Sequence, residues 1–515
     1  MKSNRTQSPL IILCFDSGDP RLLRRWANDG HLPTVSSLMK RGCWAETGGS
    51  ELLLEHGAWM SIFTGMRRDQ HGFYYFRQLV PGSYDLRLVY GSEIKAPPFW
   101  TVEQRGQGRT IVIDVPDADL LPGLPGGQIA NWAIHRGYIS RAACDQPGSE
   151  PAGLLGEITR MFGPPVRIIE MPEANAAENR RLHSKLMTRV GKKGAMARHL
   201  IERERPDVAV VCFGESHTAG HQFWRYCAEV SGHRPADTHG FGSALRDVYQ
   251  AIDREMGLLV SSMPANANVV VLSSIGLADH YPTGQLIDAF CRQLGYQASP
   301  PPQTRSSSPA AVIRRMVPHR WRVGLTRHLS RETREQLFAQ QFRSGTDWSR
   351  TTAFAIPSIY SAFLRVNLRG REPQGIVDPG PAYERILDRL EADLGQLIDP
   401  QTGQAAIEQV CRVNRMYPCQ YPSVLPDLIV HWKPSTHFLD RVVHPKLDLK
   451  QKKPEFFRDS EHTFHGFFAA AGPAISNRGP MADIEVSDLA PTFLELLDRK
   501  KPAYMKGSAI KGLTK

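Results

Sequence analysis

Three stretches stand out among those that are apolar without interruption: Leu10-Ile-Ile-Leu-Cys-Phe15, Val208-Ala-Val-Val-Cys212 and Val269-Val-Val-Leu272. A strand with one wet face alternates, so runs of this kind predict parallel strands covered on both faces, over Pro9–Phe15, Asp207–Cys212 and Asn268–Leu272. The runs give way to small or polar residues, Asp16-Ser-Gly-Asp-Pro, Gly214-Glu-Ser-His past Phe213, and Ser273-Ser. Between the runs the pattern turns helical. Helices are expected from Pro20 through Leu22–Trp26, over Val35–Arg41, and over Gly57–Thr64, the last closed by Gly65 as a C-cap. Tyr383–Ile398 carries a stripe of Ile386, Leu390, Leu394 and Leu397 at helical spacing and reads as a helix with one face in the core. Shorter strands are expected near Ala353–Ile356 and Ala362–Leu368. Strands alternating with helices define an α/β class.

Composition places these elements in a globular protein. At 515 residues, with 41% hydrophobic and 22% charged, the chain supports two to four domains or one large domain with insertions. The polar opening Met1-Lys-Ser-Asn-Arg-Thr-Gln-Ser-Pro9 predicts neither a signal peptide nor a membrane span, hence a cytoplasmic location and no membrane partner. Eight scattered cysteines without a CxxC pair read as reduced thiols. The net charge of +11 is dispersed, and its densest runs, Arg203–Arg205 and Arg314–Arg334, are interleaved with Glu202, Glu204, Glu332 and Glu335. That interleaving suits a solvated helix face, so no nucleic-acid partner is expected. Attraction of a small anionic substrate is the simpler use of the charge. Ser299-Pro-Pro-Pro-Gln-Thr-Arg-Ser-Ser-Ser-Pro309 is the low-complexity linker of the chain.

Candidate chemistry collects where apolar runs end, because open α/β sheets keep their sites at the carboxyl ends of strands. His217 and His221 follow one such run at i and i+4, on one face of a helical turn, where both imidazoles can reach one metal ion. Two surface histidines opening an amphipathic helix is the plainer alternative. Asp16 stands at the tip of the first run, placed either to hold a cation or to cap the helix that follows. Glu55 and His56 lie at the mouth of the Gly57–Thr64 helix, where free backbone N–H groups favour anions.

In order along the chain stand Asp16-Ser-Gly18, Gly30-His-Leu-Pro33-Thr, Trp59-Met-Ser61-Ile-Phe-Thr64-Gly65 and His71-Gly72. Asp347-Trp-Ser-Arg-Thr-Thr-Ala-Phe354, Leu364–Val377, Pro426-Asp427, Gly466–Pro473 and Asp488–Leu497 continue the series. Together they resemble the alkaline phosphatase superfamily, in its type I phosphodiesterase and nucleotide pyrophosphatase branch, over nearly the whole chain. The resemblance implies a three-layer sandwich, a mostly parallel sheet flanked by helices with an inserted cap. It also implies two metal ions and a Ser or Thr nucleophile at the mouth of the second helix.

Several positions depart from that pattern. Asp16 matches the first-strand aspartate and His221 matches, but His217 stands where an Asp is usual and Glu55 where the nucleophilic hydroxyl is usual. Ser273-Ser-Ile-Gly-Leu277 replaces Ser-Asp-His-Gly, so two ligands of one metal are missing; Asp279 and His280 are the nearest substitutes. His462 fills the late histidine position, with His465 beside it. Tyr74, Tyr75 and Phe76 offer no Asn for the phosphate, and Arg67, Arg68 and Arg77 are the anion contacts at hand. His71 reads as a structural turn residue.

The organisation expected is therefore a core over 1–282, an inserted cap over 283–378 and a second core part over 379–515. The site expected is one divalent metal, zinc first and iron or manganese as alternatives, held by His217, His221 and His462. Asp16 and Glu55 are further candidate ligands, Glu55 is the candidate acid/base, and His56 beside it is an alternative nucleophile or a substrate contact. The activity expected is hydrolysis of a phosphodiester or pyrophosphate-type bond by attack of metal-bound water. A three-His iron or manganese enzyme with lyase or oxidative chemistry, and a non-catalytic binding descendant, are the competing readings.

Overall fold

The computed structural model describes residues 8–49, 51, 55–94, 97–102, 108–134, 146–168, 170–171, 174–230, 239–279, 285–301, 330–358, 361–453, 458 and 460–515. The chain forms two compact units. One comprises residues 1–74, 90–280 and 456–515, the other 75–89 and 281–455.

The three apolar runs are neighbours in the first unit. Leu10–Phe15 lies between Val208–Phe213 and Asn268–Ser273, parallel to both and in register with Leu10 opposite Val208 and Asn268. Thr110–Ile113 and Gly126–Ala130 extend the parallel set beyond Val208–Phe213. On the other side Gly466–Ala471 enters antiparallel between Asn268–Ser273 and Cys43–Gly48. It comes from the far end of the sequence yet occupies the interior of the sheet. Gly466 has to be glycine there, because a Cβ would stand 2.1 Å from the Ser273 carbonyl oxygen.

Successive side chains on a strand point to opposite faces, and here both faces are dry. Ile11, Leu13, Phe15, Ala209, Val211 and Phe213 join one core, against the helices Pro20–Asn28, Pro33–Arg41, Ala176–Glu204 and Ala244–Ser261. Leu10, Ile12, Cys14, Val208, Val210 and Cys212 join the other, against Glu55–Thr64 and Leu489–Leu496. The strands are covered on both faces, as the unbroken runs predict, and the result is the three-layer α/β arrangement that the resemblance implies. Six of the seven described cysteines are buried. No described helix is long and apolar enough to cross a membrane.

In the second unit Ala353–Ile356, Ala362–Val366, Leu428–Trp432 and Ile407–Arg412 form a four-stranded antiparallel sheet. Helix Pro381–Leu394 buries Tyr383, Leu387, Leu390 and Leu394. Its buried stripe runs through Leu387, with Ile386 only partly covered. The boundary expected at residue 378 is thereby moved. Residues 379–455 cluster with the inserted unit, and the reason is strand pairing, since Leu428–Trp432 bonds to Ala362–Val366 rather than to the parallel sheet.

Candidate active site

The Val208–Phe213 strand passes through Gly214 directly into the helix Glu215–Phe223. Ser216 fastens this junction to the end of the first strand, its Oγ reaching the Asp16 carbonyl at 2.7 Å and the Phe213 carbonyl at 3.0 Å. Below it lies a buried set of compensating charges. Lys193 Nζ donates to the carbonyls of Cys212 (2.8 Å) and Ala133 (3.0 Å) and lies 3.0 Å from Asp114 Oδ2 and 3.4 Å from Glu215 Oε2. Arg189 Nε adds a 2.6 Å bond to Glu215 Oε1. Two cations and two carboxylates therefore lock the strand end to the first turn of the helix.

Four residues apart on that helix, His217 and His221 face each other. Their Nε2 atoms are 3.1 Å apart, and the His462 ring stands 4.8 and 5.0 Å from theirs, centroid to centroid. All three side chains are buried, and one ligand nitrogen from each lies within 4.8 Å of the others. His462 arrives on the strand Ser460–Thr463, which pairs antiparallel with Gly276–Asp279 so that Leu277 opposes His462.

The outer nitrogens settle the tautomers. His217 Nδ1 meets Asp16 Oδ2 at 2.9 Å, and His221 Nδ1 meets the Ser460 carbonyl at 3.1 Å. A carboxylate or carbonyl oxygen only accepts, so both Nδ1 atoms carry the proton and both Nε2 lone pairs turn inward. The two Nε2 atoms are 3.1 Å apart, and in the absence of a metal the Arg458 guanidinium reaches the one on His221 at 3.0 Å. Nitrogens bound to one zinc at 2.0–2.1 Å stand about 3.3 Å apart in tetrahedral geometry, so this donor set fits a divalent metal. The Asp16–His217 contact is also the support that metal-binding histidines receive from their surroundings.

Asp16 is thus placed otherwise than as a ligand. Its Oδ2 serves His217, its Oδ1 accepts the Trp59 indole N–H at 3.0 Å, and it is not among the converging ligand groups. Nor does it cap the following helix; Asp19 does, accepting from the amides of Arg21 and Leu22 at 3.0 and 3.1 Å. Ser273 and Ser274, in place of the two absent ligands, tie the same loop down. Ser273 Oγ donates to the Gly18 carbonyl at 2.6 Å, and Ser274 Oγ accepts from the Ser17 amide at 3.5 Å. Asp279 accepts from the Trp224 indole at 3.2 Å and is not among the converging ligand groups; His280 lies outside the described residues. His465 also stands apart from the cluster.

Glu55 and His56 open the helix Glu55–Thr64, at the helix mouth expected from the sequence, and their side chains lie outside the described residues. The two described hydroxyls of this helix are engaged internally. Thr64 Oγ1 donates to the Met60 carbonyl at 2.6 Å, and Ser61 Oγ is 3.0 Å from His71 Nε2. His71 Nδ1 accepts the Phe73 amide at 3.1 Å, so its proton sits on Nε2 and is donated to Ser61. His71 therefore has no lone pair with which to activate that serine. Burial, with the nearby Arg68 charge, pulls its pKa down to about 3. Of the arginines expected to meet an anion, Arg67 pairs with Asp69 at 3.0 Å and Arg68 is buried. In the second unit Arg77 holds Glu335 through two 2.8 Å bonds.

Two site residues carry no signature in the sequence. Arg458 Nη1 lies 3.0 Å from His221 Nε2, and its Nη2 bonds Glu170 Oε2 at 2.7 Å. Arg458 stands four positions before His462, a spacing that means nothing without the strand between them.

A parallel sheet with buried polar side chains gathered beyond its carboxyl edge defines the class of open α/β enzymes. Within that class the chain belongs to the type I phosphodiesterase/nucleotide pyrophosphatase family, whose model matches residues 10–441, and so to the alkaline phosphatase superfamily. It is a hydrolase of the phosphodiesterase and pyrophosphatase type, from a family that generally depends on divalent metals. Among solved structures, phosphonoacetate hydrolase from Sinorhizobium meliloti 1021 in complex with phosphonoacetate shares the fold, with a TM-score of 0.50 at 13% identity over 96% of this chain and 95% of that one. Human ectonucleotide pyrophosphatase/phosphodiesterase 5 gives 0.48 at 12% identity, over 98% of this chain and 99% of that one. The murine protein of that name, inactive and in complex with AMP, gives 0.48 at 14%, over 99% and 100%. A comparison with curated proteins returns no match.

Proposed function

We propose that the protein hydrolyses a phosphodiester or pyrophosphate-type bond in a small anionic substrate, using one divalent metal held by His217, His221 and His462. The observation that carries this reading is the inward turn of the His217 and His221 lone pairs, enforced from outside by Asp16 and the Ser460 carbonyl. Three neutral nitrogen donors suit zinc. Bound there, zinc supplies Lewis-acid polarisation of the phosphoryl group and acidifies water. Asp16 holds the His217 proton at Nδ1, and the buried surroundings of the cluster exclude bulk water. Glu55, at the helix mouth, takes the proton from the attacking water as general base.

Direct attack by water, without a phosphoryl-enzyme intermediate, follows from the engagement of Ser61 and Thr64 in bonds within their own segment. The test is hydrolysis of a phosphorothioate diester made chiral at phosphorus, using whole protein loaded with one equivalent of zinc. One displacement inverts the configuration, whereas two displacements through a protein oxygen retain it. Retention, or a phosphorylated peptide containing Ser50, Ser61 or Thr64, would rule out the mechanism. No turnover of diesters or pyrophosphates with zinc, manganese or iron would rule out the function.

A further inference from the structure

The geometry points to Arg458 as the residue that grips the non-bridging oxygens of the substrate's phosphoryl group, with Glu170 as its positioning residue. This rests on the proposed function above and names how the same site recognises its anion. The guanidinium is placed by two contacts of opposite kind. Nη2 is tied to the Glu170 carboxylate at 2.7 Å, and Nη1 reaches His221 Nε2 at 3.0 Å. Since the His221 Nδ1 proton is donated to the Ser460 carbonyl, Nε2 is the acceptor in that contact and the guanidinium charge is directed at the cluster; the one Nε2 lone pair serves either Arg458 or a metal, so a metal bound there would release Nη1 for an anion.

Such a placement has to be explained. An arginine is permanently charged and is repelled by any cation the three imidazoles hold. An anionic oxygen shared between guanidinium and metal turns that repulsion into attraction on both sides, and a planar fork matches two phosphoryl oxygens at once. The Arg458 side chain keeps 12% of its surface, so substrate can reach it, while Glu170 keeps only 4%.

The anchor is itself geared to the histidine helix. Gln222, adjacent to His221, clamps Met171 on both sides, accepting its amide at 3.3 Å and donating to its carbonyl at 3.0 Å. The segment that carries Glu170 therefore stays in step with the helix that carries His221. Among the described residues, no arginine named as an anion contact from sequence has a comparable approach to the cluster.

The test uses the whole chain and three measurements: hydrolysis of bis(4-nitrophenyl) phosphate by zinc-loaded protein, calorimetric binding of inorganic phosphate, and cobalt titration of metal-stripped protein. Arg458→Ala is expected to weaken phosphate binding and raise KM by about 10- to 100-fold, the range of a lost charge-assisted contact, while cobalt affinity is retained or increased. Arg458→Lys recovers only part, because a point charge lacks the fork. Glu170→Gln moves KM in the same direction with kcat held, and Glu170→Asp returns it toward the wild type. Should Arg458→Ala fail to fold, Arg458→Lys and Glu170→Gln decide. Unchanged phosphate affinity and KM overturn the proposal. So does loss of cobalt affinity together with phosphate affinity, which would make Arg458 a builder of the histidine cluster. Phosphate binding through Arg458 without turnover sinks the hydrolase reading and leaves this one standing. Turnover with an unaltered KM does the reverse, and a wild type that neither binds nor turns over sinks both.

Discussion

Asp16 Oδ2 and His217 Nδ1 stand 2.9 Å apart, and this one contact decides which nitrogen of His217 faces the other two imidazoles. An aspartate at the tip of the first strand therefore governs the cluster through a neighbour's tautomer. Asp16→Asn removes the negative charge and leaves a group able to donate as well as accept. Metal affinity is expected to fall by about 10- to 100-fold, as for other supports of metal-binding histidines. Cobalt titration of the folded variant checks this; an unaltered affinity would return Asp16 to a purely structural role.

Metal should stabilise the fold through the same three rings. A ligand that binds only the native state adds about 2.7 kcal/mol at a concentration 100 times its dissociation constant. Zinc is expected to raise the unfolding midpoint of the wild type, and a chelator to reverse the rise and abolish turnover. In His221→Ala or His462→Ala the zinc-dependent increment should vanish. Its persistence in both variants would place the metal elsewhere.

Lys193 is buried with Asp114 and Glu215 around it. Lys193→Met leaves two carboxylates in the interior with Arg189 as their cation, and the expected loss is about 3–5 kcal/mol, the usual result of breaking a buried pair. Because Glu215 opens the helix of His217 and His221, metal affinity should fall as well. Lys193→Met combined with Glu215→Gln is expected to regain part of the stability. Urea denaturation of the single and double variants measures both effects, and a loss below about 1 kcal/mol in the single variant would contradict the assignment.

His71 gives the fold a defined acid dependence. Burial first, and the Arg68 charge second, lower its pKa from 6.5 to about 3 in the folded protein. Between those values the unfolded chain binds one proton more than the native chain, so stability rises with pH. His71 thus contributes stability that is complete above pH 6.5 and is lost as pH falls toward 3, at about 1.4 kcal/mol per pH unit at most. His71→Gln should show a shallower acid limb in that window and a lower plateau at neutral pH. An identical slope in both proteins would show that another group titrates.

The parallel sheet was legible because Leu10–Phe15 and its two partners have no wet face, and a short unbroken apolar run bounded by turn residues fits a strand covered on both sides. His217 and His221 were legible for a local reason, the i, i+4 repeat. His462 was not local, and only the ordered series of motifs pointed to it. The role of Asp16 depended on Asp19, which took over the helix cap three residues later and left Asp16 to His217. Arg458 and Glu170 were illegible, since a salt bridge between residues 288 apart leaves no periodic trace. The inserted unit was cut short at residue 378 because Leu428–Trp432 looks like any buried strand, and an apolar run does not announce which sheet it joins.

Gly466–Ala471 is hydrogen-bonded on both sides, to Cys43–Gly48 and to Asn268–Ser273. During synthesis those two earlier strands emerge long before the segment that must slot between them, and contacts so distant in sequence form slowly. Until then each presents an open edge with unmet backbone groups, a template for aggregation. The strand that completes the sheet is separated only by Phe464 and His465 from the one bearing His462. Nascent chains therefore lack the assembled three-histidine cluster, and its last member arrives with the strand that covers those open edges.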